Sequence, residues 1–453
     1  MEIAGIDANV VAEIEQETSE LLARLIRIDT SNPPGNETAA ARLLDEYLRP
    51  HGLVGEIVGE PPERRGYVLR LDGSRPGPTL LLLCHLDVVP AEAENWTEPP
   101  FAGVIKDGYV WGRGAIDVKN LAAAYAVAVR RLAARGADFA GSVIFAATAD
   151  EEEGSVGGAR WLLRNRSDLV RADYVVNEGG GAFTLAGGRR IYDLTVGEKG
   201  TAQFRLTVHG EAGHASVPLR HGNAVVTAAE VIRALHAHRP KVTLDAVSPE
   251  YIAVLVDDPS LRARLYDVET VRDALDELHA RDEGAARQLE PLYGITLAPT
   301  VVHSSSKAVN VYPQRVEISV DCRIPVGCGE AEVSAEVEAA LAGVDAKWDL
   351  EWLGTVLGNA SPYPSPLGDA IGRTLTRLVP EAALAPMHCV GFADSNYFRS
   401  AQPEAVVYCF APSVVEDGAS VADRYHGVDE RIHVRDLALQ AIFAEQLVGE
   451  LLG

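Results

Sequence analysis

Residues 79–87 read Thr79-Leu-Leu-Leu-Leu-Cys-His85-Leu-Asp87. Apolar side chains that follow one another without alternation describe a strand buried on both faces, the kind found in parallel or mixed sheets covered by helices on either side. The run ends in two polar groups, His85 and Asp87. Two later stretches repeat the pattern: Ser142-Val-Ile-Phe-Ala-Ala-Thr148 leads into Asp150-Glu-Glu-Glu153, and Asp173-Tyr-Val-Val176 leads into Glu178. A further strand is expected over 67–71, and helical spacing over 11–27, 38–49, 119–135 and 156–164. Strands alternating with helices predict an α/β fold with a mixed, mostly parallel sheet flanked by helices.

The pattern changes near Gly197. Residues 202–208 and 316–322 alternate apolar with polar side chains, as antiparallel strands with one solvated face do. Helices are expected over 225–236 and 261–289. The turn-rich stretch Gly358-Asn-Ala-Ser-Pro-Tyr-Pro-Ser-Pro-Leu-Gly368 reads as a linker. A helix over 370–378 and a strand over 405–410 then resume the α/β style. The expected organisation is an α/β domain in two parts, 1–198 and 356–453, interrupted by an inserted α+β domain over 199–355.

At 453 residues the chain exceeds what one hydrophobic core usually serves. Its 41 Lys and Arg against 65 Asp and Glu leave a formal net charge of −24. That balance argues against nucleic acid and against anionic membrane surfaces as partners. Cys84, Cys322, Cys328, Cys389 and Cys409 are odd in number and form no C-x-x-C pair, so a reducing, cytoplasmic setting is expected. The first ten residues have neither a basic stretch nor an apolar core, so no signal peptide is expected.

Ligands of open α/β sheets bind outside the carboxyl ends of the strands. His85, Asp87, Asp150–Glu153 and Glu178 all fall at such ends. Gly112-Arg-Gly-Ala-Ile-Asp-Val-Lys119 is a glycine turn that presents Asp117 ahead of a helix, and Tyr425-His-Gly-Val-Asp-Glu430 follows the last strand. Alone, a histidine at a strand end reads as structural and an acidic run as a solvated helix start. Two histidines and several carboxylates delivered together have the composition of a two-metal hydrolytic site.

The ordered set His85-Leu-Asp87, Trp96-x-x-Pro-Pro-Phe101, Gly112-Arg-Gly-x-x-Asp117-x-Lys119, Asp150-Glu-Glu-x-Gly154, Glu178-Gly and His426-x-x-Asp-Glu430 resembles the M20 metallopeptidases and amidohydrolases. These include aminoacylases, carboxypeptidase G and succinyl-diaminopimelate desuccinylase. The resemblance runs from Ser31-Asn-Pro-Pro-Gly35 to the C-terminus. It implies a catalytic α/β domain with an inserted lid and dimerisation domain, and hence a homodimer. It implies two divalent metal ions, Zn²⁺ foremost with Co²⁺ or Mn²⁺ compatible. Asp117 would bridge them, His85 and Glu178 would hold one, and Glu152 and His426 the other.

The same resemblance makes Glu151 the general base towards the attacking water and Asp87 the group that orients the His85 imidazole. Glu153 falls where the pattern varies and reads as a solvated acid. In Gly210-Glu-Ala-Gly-His214-Ala-Ser216, His214 resembles the lid histidine that reaches the active site. Asn310 lies in a turn that resembles a substrate-contacting one. Arg323 has two readings, a fork for a substrate carboxylate or a salt bridge to Asp321. Asp394 is expected near substrate, whereas Asn396 stands where relatives often carry Arg, with Arg399 the nearest alternative. The implied activity is hydrolysis of a peptide or N-acyl amide bond in a dipeptide or N-acyl amino acid. Two alternatives are another small amide, such as a biosynthetic intermediate, and a metal-binding relative without catalysis.

Overall fold

A computed structural model describes residues 3–186 and 188–453. The chain divides into two compact units. The first comprises the chain up to Val196, Ser361–Met387 and Ala393–Gly453; the second comprises Gly197–Ala360 and His388–Phe392.

The main sheet of the first unit follows the order Glu56–Val58, Gly66–Asp72, Ala140–Thr148, Arg75–His85, Tyr174–Asn177, Val406–Cys409 and Arg189–Glu198. The four strands from Ala140–Thr148 to Val406–Cys409 run parallel, and the outer pairs are antiparallel. The expected mixed sheet flanked by helices is therefore present. Register explains where the polar groups end up. His85 is opposite Thr148 and Leu82 is opposite Val176, so the carboxyl ends of three strands line up along one edge.

The apolar run at 80–84 serves two cores at once. Leu80, Leu82 and Cys84 face a cluster that includes Leu22, Ala122 and Leu439. Leu81 and Leu83 point the other way, towards Leu162, Val170 and Phe398. A strand's period of two sends alternate side chains to opposite faces, and helices cover both. All four leucines are fully buried, each contributing about 1.5–3 kcal/mol by transfer from water.

On the first of these faces lie the helices Ala8–Ile26, Lys119–Ala134 and Val434–Leu452. Small side chains let Lys119–Ala134 sit buried nearly all round. Its first residue, Lys119, is itself buried and donates from Nζ to the carbonyls of Leu25 and Ile28, where the first helix ends.

The second unit holds a four-stranded antiparallel sheet in the order Thr296–Ser304, Arg315–Ile324, Gly200–His209, Trp348–Val356. Ala202, Phe204, Leu206 and Val208 are buried against the helices Ala224–Ala237 and Glu330–Leu341, while the residues between them are half-buried or exposed. The helix expected over 261–289 is three helices instead, Pro259–Leu265, Val271–Arg281 and Glu283–Leu289. A turn at Asp267–Thr270 breaks the first from the second, and the Asp282 side chain caps the third by accepting from the Ala285 amide. The expected linker at 358–368 is also structured. Asn359 and Ala360 pair with Glu198 and Gly197, and Ser365 caps the helix Pro366–Leu378. Its prolines mark strand ends and a helix start, not slack chain. No helix among the described residues is long and apolar enough to cross a membrane.

Candidate active site

His85 closes the strand Arg75–His85 and is 1% exposed. Its Nδ1 lies 3.0 Å from the Asp87 backbone carbonyl and 3.5 Å from an Asp87 carboxylate oxygen. With Nδ1 so engaged, Nε2 is left to the neighbouring carboxylates, 3.3 Å from Asp117 Oδ1 and 3.2 Å from Glu178 Oε1. On the other side of Asp117, His426 Nε2 lies 3.1 Å from Oδ2 and 3.2 Å from Glu152 Oε2. Each oxygen of the Asp117 carboxylate thus faces a different histidine. Glu151 Oε2 is 3.9 Å from His85 Nε2.

The donor atoms of His85, Asp117 and Glu152 lie within 4.8 Å of one another, and so do those of His85, Glu151 and Glu178. Glu151 therefore stands close enough to count as a ligand by distance alone. The Asp117 oxygens are split between His85 and His426, so a group of mixed N and O donors lies on each side of that carboxylate. A cation pair fits this set on a further observation. His85 Nε2 and Glu152 Oε1 are buried atoms that make no hydrogen bond, a costly arrangement unless something else binds them.

The electrostatics of the protein groups alone lead to the same place. Burial disfavours a charged His85, yet Glu178, Asp117 and Asp87 around it hold its pKa well above the ordinary value. Hydrogen bonds from the imidazole to Asp117 and Glu152 push His426 up to about 10. Burial raises Glu178 to about 7 against the pull of His85. Burial also drives Glu151 well above the usual carboxylate range, with His85 opposing and Glu178 adding to the rise. Histidines competing for protons among crowded carboxylates would give those protons up to a divalent cation.

A layer of residues beneath these groups sets their positions. The Asp87 carboxylate accepts from the amides of Glu151 at 3.0 Å and Glu152 at 3.1 Å, and from Asn32 Nδ2 at 2.9 Å. Asp87 thus anchors the acidic turn as well as the imidazole. Burial would raise its pKa, but these bonds and His85 hold it below the usual value. Asp150 sits in the left-handed region at φ 64°, a conformation that costs a non-glycine residue about 1–3 kcal/mol. It is pinned by Arg64 at 2.9 Å, by Asn32 at 3.2 Å and by the Gly157 amide at 2.8 Å. Arg64 also pairs with the buried Glu37 at 2.8 Å. Glu153 is exposed, as expected for a solvated acid.

Sequence reasoning singled out neither Asn32, Glu37 nor Arg64. Asn32 lies in the turn-rich stretch at 30–36, whose chain is tied to Val88 through the Asn32 amide, and only the fold brings it under Asp87. Asp394 is 1% exposed, with its two oxygens taken by the hydroxyls of Thr148, at 2.8 Å, and Ser155. Burial raises its pKa to about 6 against these bonds. Asn396 and Arg399 are buried too, and Arg399 Nε donates to the Val407 carbonyl at 3.1 Å.

Three further expected residues lie in the second unit. His214 is exposed and pairs across a two-stranded ribbon with Val311; its Nδ1 is 2.7 Å from Ser216 Oγ. Asn310 is exposed, and its carbonyl accepts from the Ala215 amide at 2.9 Å. Two motifs about a hundred residues apart are therefore one local structure. Arg323 Nε donates to Asp321 at 2.9 Å, so of its two readings the salt bridge is the one formed here.

Residues 81–450 match the model of peptidase family M20/M25/M40. Over 461 aligned positions the chain is 28% identical to the N-fatty-acyl-amino acid synthase/hydrolase PM20D1 of Homo sapiens, spanning 95% of this chain and 86% of that protein. It is 34% identical over 247 positions to the succinyl-diaminopimelate desuccinylase of Methylobacterium radiotolerans, spanning 52% of this chain and 60% of that protein. Among solved structures it is similar to the M20 family metallo-carboxypeptidase Sso-CP2 of Sulfolobus solfataricus, with a TM-score of 0.69 at 19% identity over 96% of this chain and 99% of the other. It is also similar to YXEP of Bacillus subtilis, a dinuclear metal-binding peptidase of the M20 family, with a TM-score of 0.60 at 15% identity over 98% and 99% of the two chains.

Proposed function

The chain belongs to peptidase family M20/M25/M40 and is a hydrolase of C–N bonds; from that premise we propose that it cleaves a peptide or N-acyl amide bond in a small substrate, of the dipeptide or N-acyl amino acid type, with two divalent cations. The observation that carries this reading is the Asp117 carboxylate, whose two oxygens face two different histidines at 3.3 and 3.1 Å. His85 and Glu178 would hold one cation with Asp117, and Glu152 and His426 the other. Mixed nitrogen and oxygen donors suit Zn²⁺ and are compatible with Co²⁺ or Mn²⁺.

The cations, when bound, acidify the attacking water and polarise the scissile carbonyl. The protein's part is proton movement and placement. Glu151, 3.9 Å from His85 Nε2, accepts the proton of the attacking water and delivers it to the leaving nitrogen. Asp87 keeps Glu151 in position through its backbone amide. His214 is the proposed donor to the developing oxyanion, and Asn310 the proposed substrate contact beside it. Arg323 would recognise a carboxylate only by sharing its fork with Asp321. We assign the second unit, Gly197–Ala360 with His388–Phe392, the role of lid and dimerisation domain.

The test is metal analysis together with a hydrolysis screen of dipeptides and N-acyl amino acids, on wild type and Glu151→Ala. The expected result is two equivalents of metal in both proteins and turnover in wild type alone, down by at least about 10²-fold in the variant. Metal loss in Glu151→Ala would move Glu151 from base to ligand. An inactive wild type with full metal would favour the non-catalytic alternative.

A further inference from the structure

Glu430 is fully buried and has no part in the chemistry above. A buried carboxylate is costly unless every lone pair is used, and this one collects four donors from a single loop. Oε2 accepts from Arg113 Nη1 at 2.8 Å and the Gly114 amide at 3.0 Å; Oε1 accepts from the amides of Ile116 at 2.8 Å and Asp117 at 3.1 Å. The Glu430 carbonyl accepts from the Gly112 amide at 2.9 Å. Arg113, only 4% exposed in its side chain, returns the link: its Nη2 donates to the His426 carbonyl at 3.3 Å. Loop 112–117 and loop 426–430 are thereby stitched together more than three hundred residues apart in sequence.

What the stitching joins is specific. One loop ends in Asp117 and the other begins with His426, the two residues whose side chains approach to 3.1 Å. His426 is held at φ 55°, a left-handed conformation that a non-glycine residue keeps only when its surroundings enforce it. The His85 centre is braced differently, by its own strand and by Asp87.

We propose that Glu430 and Arg113 are a positioning pair that fixes Asp117 against His426, and so sets the affinity of the His426 cation centre more than that of the His85 centre. The proposal rests on the two-cation reading above. Asp117 belongs to both centres, so both feel its displacement, but the pair also holds the His426 backbone; positioning therefore weakens the His426 centre more than the His85 centre, whereas a general loss of stability would weaken the two alike.

The experiment is a Zn²⁺ titration by calorimetry of the chelator-stripped full chain, with thermal unfolding alongside. Wild type is expected to take up two equivalents. Glu430→Gln replaces an acceptor by an amide that confronts N–H donors. It should bind one equivalent about 10- to 100-fold more weakly, the range typical when a ligand's hydrogen-bonded support is removed, and the other with a distinctly smaller loss. Arg113→Lys, which loses the fork but keeps a cation beside Glu430, should show a smaller loss at the same step, and it decides the matter if Glu430→Gln does not fold. Equal weakening of both steps, or none at either, overturns the proposal. Fewer than two equivalents in wild type would refute the two-cation reading itself and this proposal with it.

Discussion

Replacing Asp87 by Asn keeps size and shape and removes only the charge and one acceptor. The carboxylate is fully buried. Oδ1 accepts from the Glu151 amide and faces His85 Nδ1 at 3.5 Å; Oδ2 accepts from the Glu152 amide and Asn32 Nδ2. Whichever oxygen becomes NH₂, at least one backbone N–H then meets a donor. A hydrogen bond to a charged group contributes about 1.5–3 kcal/mol, and a buried donor left unmet costs about 1–3 kcal/mol. The expected loss is about 3–5 kcal/mol, or roughly 6–20 °C in the unfolding midpoint at about 2–4 °C per kcal/mol. The assay is thermal unfolding of chelator-treated wild type and Asp87→Asn at pH 7, with kcat measured on the metal-loaded proteins. Because Glu151 and Glu152 hang on the same carboxylate, kcat should fall as well. A midpoint within about 3 °C of wild type, with kcat retained, would refute the claim that Asp87 anchors the acidic turn.

Arg64→Met strips the cation that pairs with Glu37 and Asp150; breaking such a buried pair should cost about 3–5 kcal/mol, read as the loss in denaturant midpoint, and Arg64→Lys should fall between the two. His214→Ala should lower kcat by about 10²–10³-fold with an unchanged unfolding midpoint, because His214 is exposed; an unchanged rate would return it to the surface. Burial lifts the Asp193 carboxyl to about 7 from 3.8, against backbone hydrogen bonds that lower it. Since the folded state then binds the proton more tightly than the unfolded one, stability should decline as pH rises from about 4 to about 7 and level off above. Asp193→Asn should flatten that decline, and an identical pH–stability profile in the variant would show that Asp193 does not cause it.

The main sheet was legible because burial on both faces leaves an unmistakable mark: residues 80–84 have no polar position to offer a solvent side. The half-solvated strands Gly200–His209 and Arg315–Ile324 were legible for the converse reason. The strand Arg189–Glu198 and the helix Val434–Leu452 were not anticipated, although the helix forms much of the core beside Lys119–Ala134. Buried almost all round, its sequence lacks the polar stripe that marks a surface helix. The single helix expected over 261–289 failed because periodicity persists across a turn, and Asp282 declares itself as a cap only once Ala285 is seen to donate to it.

Which atoms are available for chemistry is written in local pattern. Strand-end His85, Asp87, the Asp150–Glu153 run and Glu178, with Asp117 and His426 in glycine turns, could be named from local pattern and motif order. How those atoms are held follows from the folded chain. Asn32, Arg64, Glu37 and Glu430 act through bonds to backbone amides and carboxylates that lie far off in sequence, up to 317 residues for Arg113 to Glu430. Local pattern encodes which face of an element is buried, because periodicity is a property of neighbours. It cannot encode which distant donor will satisfy a buried carboxylate, because that depends on where the folded chain returns.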